Sequence, residues 1–191
     1  MAKLYFRYGA MGASKTANAL MVKHNYMERG KTAVLCKPQI ETRDGEDIIR
    51  SRVGLEAPCR MAEDLIDSLL ARKEGPCDCV IIDEVQFLAP EYIEKLTEIV
   101  DGLNIPVICY GLKTDFQSRL FPGSARLFEL ADEVEEIATI CWCGKKARFN
   151  ARIVDGKVIR EGPQVQLGGN ESYIALCRRH YMSGELKPSE N

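Results

Sequence analysis

The chain has 191 residues, 46% of them hydrophobic, and a formal net charge of −2. That length suffices for one α/β domain with a proper core, or for one domain plus a small appendage. The near-neutral charge and the scatter of Lys and Arg argue against a polyanion-binding surface, and no apolar run approaches the ~20 residues that cross a bilayer.

Met1-Ala2-Lys3 runs straight into an apolar stretch without a secretory leader, so the cytoplasm is the expected compartment. In that reducing setting the eight cysteines read as metal ligands or buried thiols rather than disulfides. Leu4 to Tyr8 is the first expected strand, GAMGASKT follows from Gly9 to Thr16, and Ala17 to Met27 reads as helix. Strand, loop and helix in this order are the setting of a phosphate-binding loop. The loop's backbone N–H groups and the helix N-terminus offer fixed positive dipole to an anion. Lys15 adds a full charge against terminal phosphates, and the Thr16 hydroxyl suits Mg²⁺. A plain loop-to-helix cap accounts for Ser14-Lys15-Thr16 alone, but not for strand, spacing, Lys and Thr together. Gly9, Ala10, Met11, Gly12, Ala13 and Ser14 are therefore assigned to a nucleotide along with Lys15 and Thr16.

Thr32 to Cys36, Cys79 to Asp83 and Pro106 to Tyr110 are further apolar runs expected as buried strands. Between them Met61, Leu65, Ile66, Leu69 and Leu70 mark one helix face, and Tyr92, Ile93, Leu96, Ile99, Val100 and Leu103 another. Alternating strand and helix implies a mostly parallel sheet with helices on both faces. Residues 39–58, with Arg43, Arg50 and Arg52, are polar and aperiodic, and are expected as a long irregular loop. Val80-Ile81-Ile82-Asp83-Glu84 is an apolar strand ending in adjacent carboxylates. Ligands of open α/β sheets sit beyond the carboxyl ends of the strands, so Asp83 is placed to hold Mg²⁺ near the phosphates. Glu84, on the other side of the pleat, is either a proton acceptor or a cap on the following turn.

Near residue 134 the pattern changes. Val134 to Cys141 is strand-like, and Arg148–Val154 and Lys157–Arg160 flank Asp155-Gly156, a strong hairpin turn. Residues 1–140 are thus expected as the nucleotide-binding α/β domain and 141–191 as a small β-rich domain. Cys141-Trp142-Cys143 and Cys177-Arg178-Arg179-His180 supply thiolates and an imidazole for a closed tetrahedral shell, for which zinc is the expected metal. Cys36, Cys59, Cys77, Cys79 and Cys109 read as small apolar residues in or near strands.

GAMGASKT at 9–16, DEVQF at 83–87, YGLKTDF at 110–116, the CWC and CRRH pairs and GGNESY at 168–173 together resemble the type II thymidine kinase family, over nearly the whole chain. The resemblance implies a P-loop NTPase-like α/β fold, a mostly parallel sheet flanked by helices. A small zinc-binding domain carries a lasso loop, Gly162 to Tyr173, over the base. It implies transfer of the γ-phosphate of ATP to the thymidine 5′-hydroxyl, with Glu84 as base, Asp83 and Thr16 on Mg²⁺, and Lys15 on the phosphates. Gln86 is grouped with the nucleotide ligands, and Arg43 matches an arginine that reaches the transferring phosphoryl group. Met11, Phe87, Leu112, Phe116, Phe121, Val165, Leu167, Gly168 and Tyr173 match the nucleoside pocket. Feedback inhibition by dTTP and a homotetramer are implied likewise.

Loop and acidic strand alone do not choose a substrate, since kinases, hydrolysing ATPases and switch GTPases share both. The lack of an Asn-Lys-x-Asp guanine reader lowers the GTPase reading. An ATPase acting on water, and a zinc-ribbon module that senses ATP, use the same residues. Ser14 departs from the family pattern by placing a Cβ beside the phosphates, where Gly12 can return some backbone freedom.

Overall fold

The structure is a computed structural model that describes residues 1–41, 45, 47–164 and 172–187, with the Ser172 side chain left aside. Arg43, Val165, Leu167 and Gly168 lie outside the described residues.

The first half runs β1 (Leu4–Tyr8), α1 (Lys15–Glu28), β2 (Ala33–Lys37), β3 (Ile48–Arg50), β4 (Glu56–Pro58), β5 (Arg60–Met61), α2 (Ala62–Leu70) and β6 (Cys79–Ile82). A 3₁₀ turn (Val85–Phe87), α3 (Pro90–Leu103), β7 (Val107–Gly111), α4 (Pro122–Leu130) and β8 (Glu133–Glu136) complete the α/β part. Six strands form one sheet in the order β5-β2-β6-β7-β1-β8, and every pair in it is parallel.

Strand alternation divides the core. Val80 and Ile82 of β6 join Leu4, Phe6, Val107 and Cys109 against α2, α3 and α4. Cys79 and Ile81 join Leu35, Ile108 and Tyr110 against Ala19 and Leu20 of α1. Each fully buried Leu or Ile contributes about 1.5–3 kcal/mol, so the doubly covered sheet holds its carboxyl ends as a rigid rim. The phosphate loop follows β1 on that rim, and the acidic pair follows β6.

Two sequence expectations need correction. Residues 39–58 are not wholly irregular, because β3 and β4 pair as an antiparallel hairpin. Its anchor is tertiary: Ile49 is buried in the α1-side core, and the buried Lys37 donates its Nζ to the Ile48 carbonyl at 2.9 Å. The expected strand Val134–Cys141 is broken at Ile137 and Ala138: β8 pairs parallel with β1, whereas Thr139 and Ile140 pair antiparallel with Ala147 and Lys146.

Beyond β8 the pieces are antiparallel. They are β9 (Thr139–Ile140) with β10 (Lys146–Ala147), and β12 (Lys157–Ile159), β11 (Phe149–Val154) and β13 (Ser172–Leu176) in one sheet, followed by α5 (Arg178–Ser183). Asp155 and Gly156 take φ of 47° and 72°, the left-handed pair that a two-residue hairpin demands. Cys141, Ala147, Ala151, Leu176, Cys177 and Tyr181 form a separate small core.

Candidate active site

The phosphate loop is held from below. Gly9 donates its N–H to the Gly111 carbonyl at 3.2 Å, and a Cβ there would lie 2.6 Å from the Ile137 carbonyl oxygen. Only glycine fits that approach. Gly12 and Ser14 both take left-handed backbone, at φ of 77° and 56°. Ser14 is thus strained by about 1–2 kcal/mol relative to glycine. Its carbonyl is latched by Asn18, whose backbone N–H and Nδ2 donate to it at 3.0 and 2.9 Å. The loop therefore keeps the shape that glycine would give it, and the serine carries strain instead. Ser14→Gly is expected to raise the thermal midpoint by about 2–4 °C for a domain this size, checked by calorimetry. An unchanged midpoint would mean the serine is unstrained.

Lys15 opens α1 and is only 8% exposed. Its Nζ donates to the Gly9 and Ala10 carbonyls at 3.1 and 3.0 Å. Burial pushes the ammonium down, the Glu84 and Asp83 carboxylates push it up, and Arg52 adds to the lowering. A buried cation folded back on carbonyl oxygens is poised for an anion. Asp83, 3% exposed, is pushed up to about 7, first by burial and then by Glu84. Hydrogen bonds from the Thr16 side chain and the Glu84 N–H oppose that rise. The Thr16–Asp83 pair is a hard-oxygen donor set with a charge that needs a cation, which fits a divalent metal.

Because folding raises the Asp83 value, its contribution to stability is fully present below about pH 4. That contribution is lost as pH rises through about 7. Without nucleotide or divalent cation, Asp83→Asn is therefore expected to melt above the parent at pH 8, by on the order of 1–3 kcal/mol. The gap should close below about pH 4 in a pH series of melts. A gap independent of pH would contradict the buried charge.

Glu84 leaves the strand. Its φ of 52° begins the 3₁₀ turn, so a left-handed residue, not the pleat, sets its direction. Gln86 then aims it: the buried Gln86 donates Nε2 to Glu84 Oε2 at 2.6 Å and accepts the Leu112 N–H on Oε1 at 2.9 Å. Gln86, expected among the nucleotide ligands, thus braces Glu84 against the end of β7 while also lining the cavity.

That cavity, about 740 Å³, is lined at once by Met11 to Ala17, by Glu84 and Gln86, and by Phe87, Leu112, Phe116, Phe121 and Tyr173. Phe87 and Phe121 meet edge to face at 5.7 Å. Phe116 lies under the Arg152 guanidinium at 3.7 Å, and Arg152 Nε donates to the Tyr173 hydroxyl at 2.8 Å.

Sequence reading missed Asn150 and Arg152, both buried on β11. Asn150 Oδ1 accepts the Met11 N–H at 2.8 Å, and its Nδ2 donates to the Thr114 carbonyl at 3.1 Å. Arg152 Nη2 also donates to the Pro163 carbonyl at 3.0 Å. Their signal was two polar residues at alternate positions of an otherwise apolar strand.

The expected metal ligands come together. Ligand atoms of Cys141, Cys143, Cys177 and His180 all lie within 4.8 Å of one another. His180 Nδ1 is 3.4 Å from Cys141 Sγ and 3.6 Å from Cys177 Sγ, and Cys143 and Cys177 Sγ are 3.9 Å apart. A tetrahedron with metal–sulfur bonds of about 2.3 Å has edges of about 3.8 Å, so the quartet fits such an ion. Trp142 stacks on the His180 ring at 4.2 Å, and His180 Nε2 faces Glu185 Oε2 at 3.7 Å. Nδ1 thus faces the thiols while Nε2 faces a carboxylate on the ring's other side.

The sequence model of the thymidine kinase family matches residues 2–181. A thymidine kinase of Streptococcus pyogenes serotype M3 is 46% identical over 189 residues, covering 97% of this chain and all of that one. One of Lactococcus lactis subsp. lactis is 45% identical over 193 residues with the same coverage. One of Zymomonas mobilis subsp. mobilis is 46% identical, covering 95% of this chain and 97% of its own. The chain belongs to the thymidine kinase family.

Proposed function

We propose that the chain transfers the γ-phosphate of ATP to the 5′-hydroxyl of thymidine, giving dTMP, with Glu84 as base. The observation that carries this reading is the single cavity lined by the phosphate loop, by Glu84 and by an aromatic wall. The loop N–H groups and the start of α1 take the β- and γ-phosphates. Lys15 exchanges its two carbonyl partners for phosphate oxygens. Thr16 and Asp83 would hold Mg²⁺, which would offset negative charge on the phosphates.

Glu84, aimed by Gln86, accepts the proton of the nucleoside hydroxyl as its oxygen bonds the γ-phosphorus. The bond to the β–γ bridging oxygen breaks, and ADP leaves. Arg43 is assigned to the transferring phosphoryl group. Met11, Phe87, Leu112, Phe116, Phe121 and Tyr173 enclose the thymine, whose methyl needs an apolar niche. Val165, Leu167 and Gly168, outside the described residues, are assigned to the same nucleoside.

A nucleotide-binding domain of residues 1–140 and a smaller one of 141–191 are part of this reading, supported by the change from parallel to antiparallel pairing between β8 and β9. The Cys₃His quartet takes zinc as a closed structural site, leaving no position for a reacting water. Feedback inhibition by dTTP, a homotetramer and the cytoplasm complete the reading. No helix among the described residues is long and apolar enough to cross a membrane. A nucleoside panel with ATP and Mg²⁺ tests the substrate: ADP release should depend on thymidine. Release indifferent to nucleosides would point to an ATPase acting on water.

A further inference from the structure

We propose that Arg52 is a catalytic residue whose guanidinium meets the phosphoryl group during transfer. The inference rests on the kinase reading above and adds a group to its phosphate end. It grows from the β3–β4 hairpin, which the sequence did not disclose. The connecting turn is stiff: the Ser51 N–H donates to the Leu55 carbonyl at 2.7 Å, and the Leu55 N–H donates to Ser51 Oγ at 3.0 Å. Ser51 is itself buried, and Gly54 closes the turn by donating its N–H to the Ser51 carbonyl at 3.1 Å. The hairpin root is fixed by Ile49 in the core and by the Cys59 N–H donating to the Asp47 carbonyl at 2.9 Å. Arg52 therefore stands on a supported turn.

Two arginines of this hairpin line the 740 Å³ cavity together with Lys15, Thr16 and Glu84. They differ in one respect. Arg50 Nε donates to Glu56 Oε2 at 2.8 Å, which neutralises it within the hairpin. Arg52 has no hydrogen-bond or ion-pair partner among the described residues. Its charge is close enough to Lys15 to disfavour the lysine ammonium. The Glu84 and Asp83 carboxylates offset these charges at Lys15, but Lys15 and Arg52 still face one cavity as like charges, and an anion placed between them relieves their mutual repulsion. The chemistry supplies that anion: charge spreads over the equatorial oxygens of the phosphoryl group in flight. A guanidinium presents a fork of donors that matches them, which the lysine point charge does not. Arg52 forms no covalent bond and takes no proton; it donates hydrogen bonds to γ-oxygens while Glu84 receives the proton.

The test compares Arg52→Gln and Arg52→Lys with the parent in the full chain. Arg52→Gln is expected to lower kcat by about 100-fold with the thymidine KM within about threefold, and Arg52→Lys to lie between. Thermal melting should not change, because no described residue pairs with the side chain. A second measurement separates transition state from ground state: ADP with aluminium fluoride and thymidine should bind the Gln variant more weakly, whereas ADP alone should bind as to the parent. A kcat within about threefold of the parent, or equal weakening of ADP and of the aluminium fluoride complex, would overturn the assignment. If the parent transfers phosphate to water rather than thymidine, the substrate reading fails; loss of that transfer in Arg52→Gln still decides the arginine.

Discussion

Glu84→Gln is expected to lower kcat for thymidine phosphorylation by about two to four orders of magnitude, with little change in ATP affinity or melting temperature. The substitution keeps size and shape while removing the site proposed to take the proton. The neighbouring geometry makes this a clean experiment. Gln86 Nε2, now bonded to Glu84 Oε2 at 2.6 Å, can still donate to an amide oxygen, so the side chain stays aimed. The left-handed turn that carries residue 84 does not involve its carboxylate. Gln86→Leu is expected to act in the same direction but less, since it releases the brace to Leu112 without removing the proposed base. A Glu84→Gln enzyme that turns over at the parental rate would remove Glu84 from the chemistry.

Loss of the Cys/His quartet, with the zinc proposed for it, should cost several kcal/mol of stability, on the order of a structural zinc site. The four ligands join Cys141 and Cys143 on one side of the antiparallel piece to Cys177 and His180 on the other. The core they tie together is small, with Ala147, Ala151, Leu176 and Tyr181 as its other buried members. Structural zinc sites contribute on the order of 10 kcal/mol to folding, more than such a core can replace. Cys177→Ala is therefore expected to abolish bound zinc, measured by elemental analysis, and to unfold this piece at a lower temperature than the α/β part. Function should fall unevenly. Release of β11 frees the Met11 N–H from Asn150 and the Tyr173 hydroxyl from Arg152. Thymidine binding should then fail first, while the proposed nucleotide ligands Lys15, Thr16 and Asp83, packed on the parallel sheet, stay in place. A metal-free variant that melts and turns over as the parent does would contradict a structural role.

Which parts could be read in advance follows from how each is stabilised. β6 and β7 are continuous apolar runs because both faces of a central parallel strand are buried, and β1 and β2 are largely apolar for the same reason, which the sequence shows directly. The phosphate loop and the Cys/His pairs are legible because a ligand dictates residue type and spacing. β3 and β4 are not, because three-residue strands of mixed polarity carry no period; their pairing depends on Ile49 and Lys37 finding the core. Glu84 was identified as a residue but not in its direction, which a left-handed backbone sets. Asn150 and Arg152 were passed over because buried polar groups only declare themselves through partners distant in sequence, here Met11, Thr114 and Phe116.

The most direct measurement follows the phosphorus. ATP labelled at the γ-position is incubated with the parent chain, Mg²⁺ and thymidine, and the products are separated. The single cavity shared by the phosphate loop, Glu84 and the aromatic wall predicts label in dTMP, in step with ADP formed. Label recovered as inorganic phosphate at the same rate with or without thymidine would contradict it.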